Sequence, residues 1–155
     1  MKKFTVTFAG LLAMGMLVLQ LESPQQAKAQ DVGGTGCNMT SVTGNYGFLM
    51  TGWNNTSGTT LPVATSGRLS FGGNGNIRGT STTSVSGTLS QPAAMTGTYT
   101  INTDCTGAAT FTDGGTSTVH IGLVVVNNGA QIFAIQTDGG STVTGTAIRQ
   151  GEGPH

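Results

Sequence analysis

Residues 118–150 read TVHIGLVVV-NNGA-QIFAIQT-DGGS-TVTGTAIRQ. Three runs rich in Val, Ile, Thr and Phe are separated by short links, and apolar and polar positions alternate with the period of two that a β-strand imposes. Asn127-Asn128-Gly129 and Asp138-Gly139-Gly140 supply the positive backbone angles of tight hairpins. Neither link has room for a crossover helix, so the three runs must be antiparallel neighbours.

The same pattern continues toward the N-terminus. Five further runs precede these three: Gly44–Trp53 with Tyr46, Phe48 and Met50 on one face, Val63–Phe71, Ile77–Val85, Ala94–Ile101 and Gly107–Thr112. In the second run Val63, Leu69 and Phe71 point inward while Ser66, Arg68 and Ser70 point outward; in the fourth Met95, Tyr99 and Ile101 align. Gly72-Gly73-Asn74-Gly75-Asn76 and Asp113-Gly114-Gly115 are turn sequences. The expected fold is all-β, a single antiparallel up-and-down barrel of about eight strands over residues 44–150. The alternative is a two-sheet β-sandwich. The even meander favours the barrel, which leaves no exposed sheet edge.

Closure sorts the links between two ends. Cys37, just ahead of the first run, and Cys105, between the fourth and fifth, fall at the same end. The longer links, Asn54–Pro62 and Ser86–Ala93, fall at the other, the expected mouth. Lys2 and Lys3 precede an apolar run from Phe4 to Leu21, and Ala27-Lys28-Ala29 has the small residues a signal peptidase needs. A signal peptide over residues 1–29 is expected, with an N-terminal segment at 30–43 and a tail at 151–155. The product would be exported to the periplasm, cell surface or extracellular space, with no transmembrane helix in the mature chain. Export places Cys37 and Cys105 where thiols pair. Closing their 68-residue loop stabilises by roughly 4 kcal/mol on the chain-entropy model; the alternative is two free buried thiols.

Composition excludes several classes of function. Past residue 29 no lysine remains, and Arg68, Arg78 and Arg149 face Asp31, Asp104, Asp113, Asp138 and Glu152. A chain this poor in cations does not bind a nucleic-acid backbone. A lysine Schiff base and a P-loop are excluded with it. Glycine is abundant, 26 residues in all, and threonine is comparably common.

Gly44-Asn45-Tyr46 resembles the Gly-x-aromatic opening of calycin barrels, the group of lipocalins and avidins. That resemblance implies that Tyr46 packs under an arginine of the last strand, here Arg149, at the closed end. Calycins usually carry Trp where this chain has Tyr46. Over Cys37–Gln150 the chain also resembles a family of small exported Gly/Thr-rich bacterial proteins of unknown function. That likeness rests on Gly44-Asn45-Tyr46-Gly47-Phe48, on Gly73-Asn74-Gly75-Asn76 with Gly79, on Gly97-Thr98-Tyr99-Thr100-Ile101-Asn102 and on Asp104-Cys105-Thr106-Gly107. It implies export and a β-barrel, and assigns no catalytic residue.

Few residues offer chemistry. His120 alternates with Val119 and Ile121 and is read as an outer-face residue, since no Gly-x-Ser-x-Gly elbow accompanies it. Asp113 and Asp138 share one end and could pair as glycosidase carboxylates or calcium ligands, but Asp-Gly is what a hairpin wants in any case. No metal or cofactor is expected, because only His120 and His155 could add nitrogen ligands to the two cysteines. Gly72–Asn76 is a single turn, not a tandem calcium repeat. Asn54-Asn55-Thr56 fits the N-glycosylation pattern.

Trp53 at the rim, with Phe48, Phe71, Tyr99 and Phe111 inside, forms the candidate ligand-binding set for a small apolar molecule. Small inward residues (Gly67, Gly79, Gly97, Ala109, Ala134, Gly145) either open a cavity or permit tight strand coiling. Ile121–Val126 and Ile132–Ile135 are apolar on both faces, so a cover for Val124, Val126, Phe133 and Ile135 is expected. A second copy of the chain is the preferred cover, and the protein's own loop or tail the rival. Three functions follow: non-catalytic binding of a small apolar ligand, a structural component of the envelope or matrix, and an isomerase confining its substrate in an apolar barrel. A filled core favours the second, and a cavity reaching Trp53 the first.

Overall fold

Thirteen-residue strands open the fold: β1 (Gly44–Thr56) turns directly into β2 (Thr59–Phe71). The chain then meanders through β3 (Asn76–Val85), a two-residue β4 (Thr88–Leu89), β5 (Ala93–Ile101), β6 (Thr106–Asp113), β7 (Ser117–Val126), β8 (Gln131–Gln136) and β9 (Ser141–Arg149). This computed structural model describes residues 36–56, 58–113 and 117–151. The expected signal peptide, Asp31, Gly114-Gly115 and Glu152–His155 lie outside the described residues.

The protein is a closed antiparallel barrel of eight strands plus one extra strand. Sequential hairpins link β1-β2-β3-β5-β6-β7-β8-β9, and β9 returns to β1 from Tyr46↔Arg149 to Asn54↔Ser141. Strand β4 is the addition: it pairs with the end of β3 (Ser84↔Leu89, Val85↔Thr88), beyond the point where β3 leaves β5 at Ser81↔Ala93. The eight runs expected from the sequence match the eight barrel strands. The Asn54–Pro62 link does not survive as a long loop, because β1 and β2 stay paired out to Thr56↔Thr59. No helix among the described residues is long and apolar enough to cross a membrane.

Alternation decides what is buried. Tyr46, Phe48, Leu69, Phe71, Ile77, Tyr99, Phe111, Ile121, Leu123, Val125 and Ile132 face inward and are buried. The threonine- and serine-rich positions of β2, β3, β5 and β6 face out. The glycines between them serve strand coiling. A Cβ on Gly67 would stand 2.0 Å from the Thr80 carbonyl oxygen of β3, with the Phe48 ring 2.8 Å away. Only glycine lets the backbones approach so closely at a barrel corner.

The outer face of β7 and β8 is apolar instead, and on β1 Leu49 and Trp53 are exposed as well. Val124, Phe133 and Ile135 are 42%, 48% and 51% exposed, and Ile148 on β9 adds to the same face. Val126 belongs to the same outward row and is half-buried.

Candidate functional site

One end of the barrel is plugged. A 3-10 turn over Met39–Val42 puts Val42 under the strand ends with no exposed surface. Asn38 caps this turn, accepting from Thr40 N at 2.9 Å. Behind it the Cys37–Cys105 disulfide ties the turn to the β5–β6 hairpin. Cys105 takes a φ of 66°, and Asp104 holds that turn by accepting from Thr106 N at 3.0 Å. The hydrogen bonds from Thr106 keep the Asp104 carboxyl below its ordinary range.

Tyr46 and Arg149 meet in the plug. Arg149 donates through Nε (3.1 Å) and Nη2 (2.9 Å) to the Tyr46 hydroxyl, and its guanidinium carbon lies 5.4 Å from the ring centroid. Nη2 also reaches Ser41 O at 2.8 Å, and Tyr46 OH donates to Gly129 O. Gly129 has a φ of 81°, and a Cβ there would strike Ser41 O at 1.9 Å, so the Asn127-Asn128-Gly129 turn admits no side chain at its third position. Tyr99 belongs to this end as well. Its ring stacks edge-on against Phe71 at 5.1 Å, and its hydroxyl donates to Gly72 O at 2.7 Å. Burial raises the Tyr99 pKa above its usual value of 10.0.

Above the plug lies a cavity of about 440 Å³. Phe48, Leu69, Phe71, Leu123, Ile132 and Ala147 line its lower part, while Met95, Phe111, Val119 and Ile121 line the β5–β7 wall. It extends to Asn54, Val85, Ser117 and Gln136, which stand at strand ends opposite the plug. Its polar groups are few. Thr65 and Thr83 share a hydroxyl–hydroxyl hydrogen bond of 3.0 Å, and Ser81, 5% exposed, is the buried polar residue of the wall. No charged residue lines it among the described residues.

Of the five candidate ligand-binding residues, the structure places Phe48, Phe71 and Phe111 on the cavity. Tyr99 lies below it in the plug. Trp53 does not reach it: β1 points its even-numbered residues inward, and Trp53 stands on the outer wall, 54% exposed, beside Pro62 and Thr142. Because it ends the first run, Trp53 is expected at the rim, but the alternation that buries Tyr46 and Phe48 already assigns it outward.

Sequence reasoning also missed a pairing. His120 Nδ1 lies 2.7 Å from Asp138 Oδ1, the His120 backbone N–H donates to Asp138 Oδ2 at 2.9 Å, and Gln136 Nε2 reaches the same oxygen at 3.1 Å. These bonds, the backbone one foremost, hold the Asp138 carboxyl below its ordinary value. The signal was available: counting back from Val126↔Gln131 brings His120 opposite Thr137, next to Asp138. His120 is 56% exposed on the outer face, and among the described residues no hydroxyl or thiol is hydrogen-bonded to its ring. A nucleophile for acid–base work is therefore missing beside it. No group of three His, Cys, Asp or Glu side chains clusters for a metal among the described residues.

No protein-family model and no curated protein matches this chain. Solved structures similar to it are designed β-barrels. A de novo designed fluorescence-activating β-barrel aligns at 11% identity over 72% of this chain and 96% of its own, with a TM-score of 0.50. A redesigned β-barrel, b11L5F_LGL, aligns at 22% identity over 73% and 95%, with a TM-score of 0.46. A redesigned β-barrel, mFAP1, bound to DFHBI, aligns at 19% identity over 72% and 97%, with a TM-score of 0.47. At such identities the likeness is one of fold: a small, closed, antiparallel barrel.

Proposed function

We propose that this protein is an exported, non-catalytic binding module that takes one small, mainly apolar molecule into its barrel. The observation that carries this reading is the cavity of about 440 Å³ between the aromatic floor and the strand ends. Its size falls within the roughly 300–1,000 Å³ of small-molecule sites, and an apolar lining with a few polar groups is their usual chemistry. A structural role called for a filled interior, and the interior is open. The cavity does not reach Trp53, which stands on the outer wall, so the binding reading rests on the cavity's volume and lining alone. An isomerase acting by proton transfer would want a carboxylate or imidazole on the lining, and the described lining has neither. The disulfide supports the exported setting, since such bonds persist in oxidising compartments.

The test is native mass spectrometry of the protein recovered from its own host. A discrete extra mass, released by organic solvent, is the expected result, and it identifies the cargo. Bare protein in every preparation overturns the reading and returns the structural role to first place.

A further inference from the structure

The row of inward positions across β2, β3 and β5 contains Gly67, Ser81 and Ala93, set opposite one another by the strand register. Neither neighbour of Ser81 in that row carries a hydrogen-bonding side chain. Along β3 the next inward positions are Gly79 and Thr83, and the Thr83 hydroxyl is engaged by Thr65 at 3.0 Å. Ser81 is 95% removed from solvent, as its 5% exposure states, and it lines the cavity. Among the described residues its hydroxyl makes no hydrogen bond. Such a group costs stability unless something satisfies it, which singles it out from the rest of an apolar wall.

We propose that Ser81 is the polar anchor of the cavity, and that the ligand is an uncharged, hydrocarbon-rich molecule carrying a hydroxyl or carbonyl group that hydrogen-bonds to Ser81 Oγ. The inference rests on the binding reading given above and adds the ligand's chemistry to it. Three features fix that chemistry. Phe48, Leu69, Phe71 and Phe111 surround the site with hydrocarbon, so most of the ligand is apolar. No charged side chain lines the described wall, so an ionised ligand would be desolvated without a partner. The Thr65–Thr83 pair lies one row toward the rim and is already mutually satisfied. The other lining hydroxyls, Ser117 and Thr146, are exposed and half-buried, which leaves Ser81 as the buried wall hydroxyl in need of a partner. Its cross-strand neighbours, Gly67 and Ala93, set no larger side chain directly beside it.

The test compares two probes of nearly equal shape, 2-naphthol and 2-methylnaphthalene, which differ in a neutral hydroxyl against a methyl group. Affinities are measured by fluorescence titration at pH 7 for the full-length protein and for Ser81→Ala, with Ser81→Cys as a second variant of nearly unchanged size. The proposal expects the preference for 2-naphthol over 2-methylnaphthalene to fall about 3- to 10-fold in both variants, with 2-methylnaphthalene binding held or improved. Both probes binding with an unchanged ratio overturns the anchor and leaves the binding reading standing. Equal weakening of both probes makes Ser81 a packing residue and overturns the anchor in the same way. Failure of both probes to bind the unaltered protein overturns the binding reading itself, and the anchor with it.

Discussion

Asp138 accepts three hydrogen bonds from a single hairpin, two of them from His120 and one from Gln136. Because the bonds favour the ionised form, its carboxyl titrates below the ordinary 3.8. A carboxylate depressed in this way stabilises the folded chain above its unfolded value and loses that contribution as pH falls through the folded one. Denaturant unfolding should therefore find Asp138→Asn less stable than the unaltered protein at pH 6. For so exposed a pair the difference should be about 0.5–1 kcal/mol. The gap should close as pH is lowered below about 4. A gap that persists at pH 2 would mean that the carboxylate's charge is not what His120 reads. The sequence shows both residues but treats each by its local setting, His120 by alternation and Asp138 by Asp-Gly turn preference. What joins them is strand register, which a turn sequence fixes only once its residues are counted. The pairing of Tyr46 with Arg149 comes from the calycin resemblance, and barrel closure, which sets the first strand beside the last, brings the two opposite each other.

Strands β1 and β2 illustrate where local sequence misleads. Asn54, Asn55, Gly58 and Pro62 are all breakers, yet the hairpin runs through them. Pro62 pairs with Trp53 just before the β2–β3 ladder begins at Val63. Over that length β2 has no second neighbour, so proline's missing N–H is tolerated as on any edge strand. The β7–β8 pair was legible instead, since Val124 and Phe133 stand directly opposite each other on the outer face, with Ile135 and Val126 as their apolar diagonal neighbours. We propose a second copy of the chain as the cover of that face, because exposed valine, phenylalanine and isoleucine stand together there, whereas the outer positions of β2, β3, β5 and β6 are rich in threonine and serine. Sedimentation velocity should then show a dimer or larger species for the unaltered protein and a monomer for Val124→Lys, with both folded. Monomers throughout would leave the patch uncovered and end that proposal.

At the scale of the whole molecule, closure and the two dissimilar ends follow from hairpin grammar, but the cavity does not. A period-two pattern says which side chains face in and nothing about whether they meet. Here glycines bring the strands close at the corners, while the aromatic rings gather at the plug through Tyr46–Phe71 and Phe71–Tyr99 contacts of 5.2 and 5.1 Å. The volume above them is left to whatever enters. Ala134 offers a way to close it: it lines the cavity, and its cross-strand partners are Leu123 and Gly145, the latter without a side chain to resist a larger neighbour. A phenylalanine there would fill the space that a ligand needs while burying more hydrocarbon, so Ala134→Phe should keep or raise thermal stability. Ligand linkage separates this from a surface effect. A probe such as 2-naphthol at 100 times its dissociation constant stabilises a protein that binds it by about 2.7 kcal/mol. Calorimetry should therefore show a rise in Tm of several degrees for the unaltered barrel and none for Ala134→Phe. Equal rises in both proteins would place the probe on the outer wall, and the exposed face of β7 and β8 would then be the site to probe.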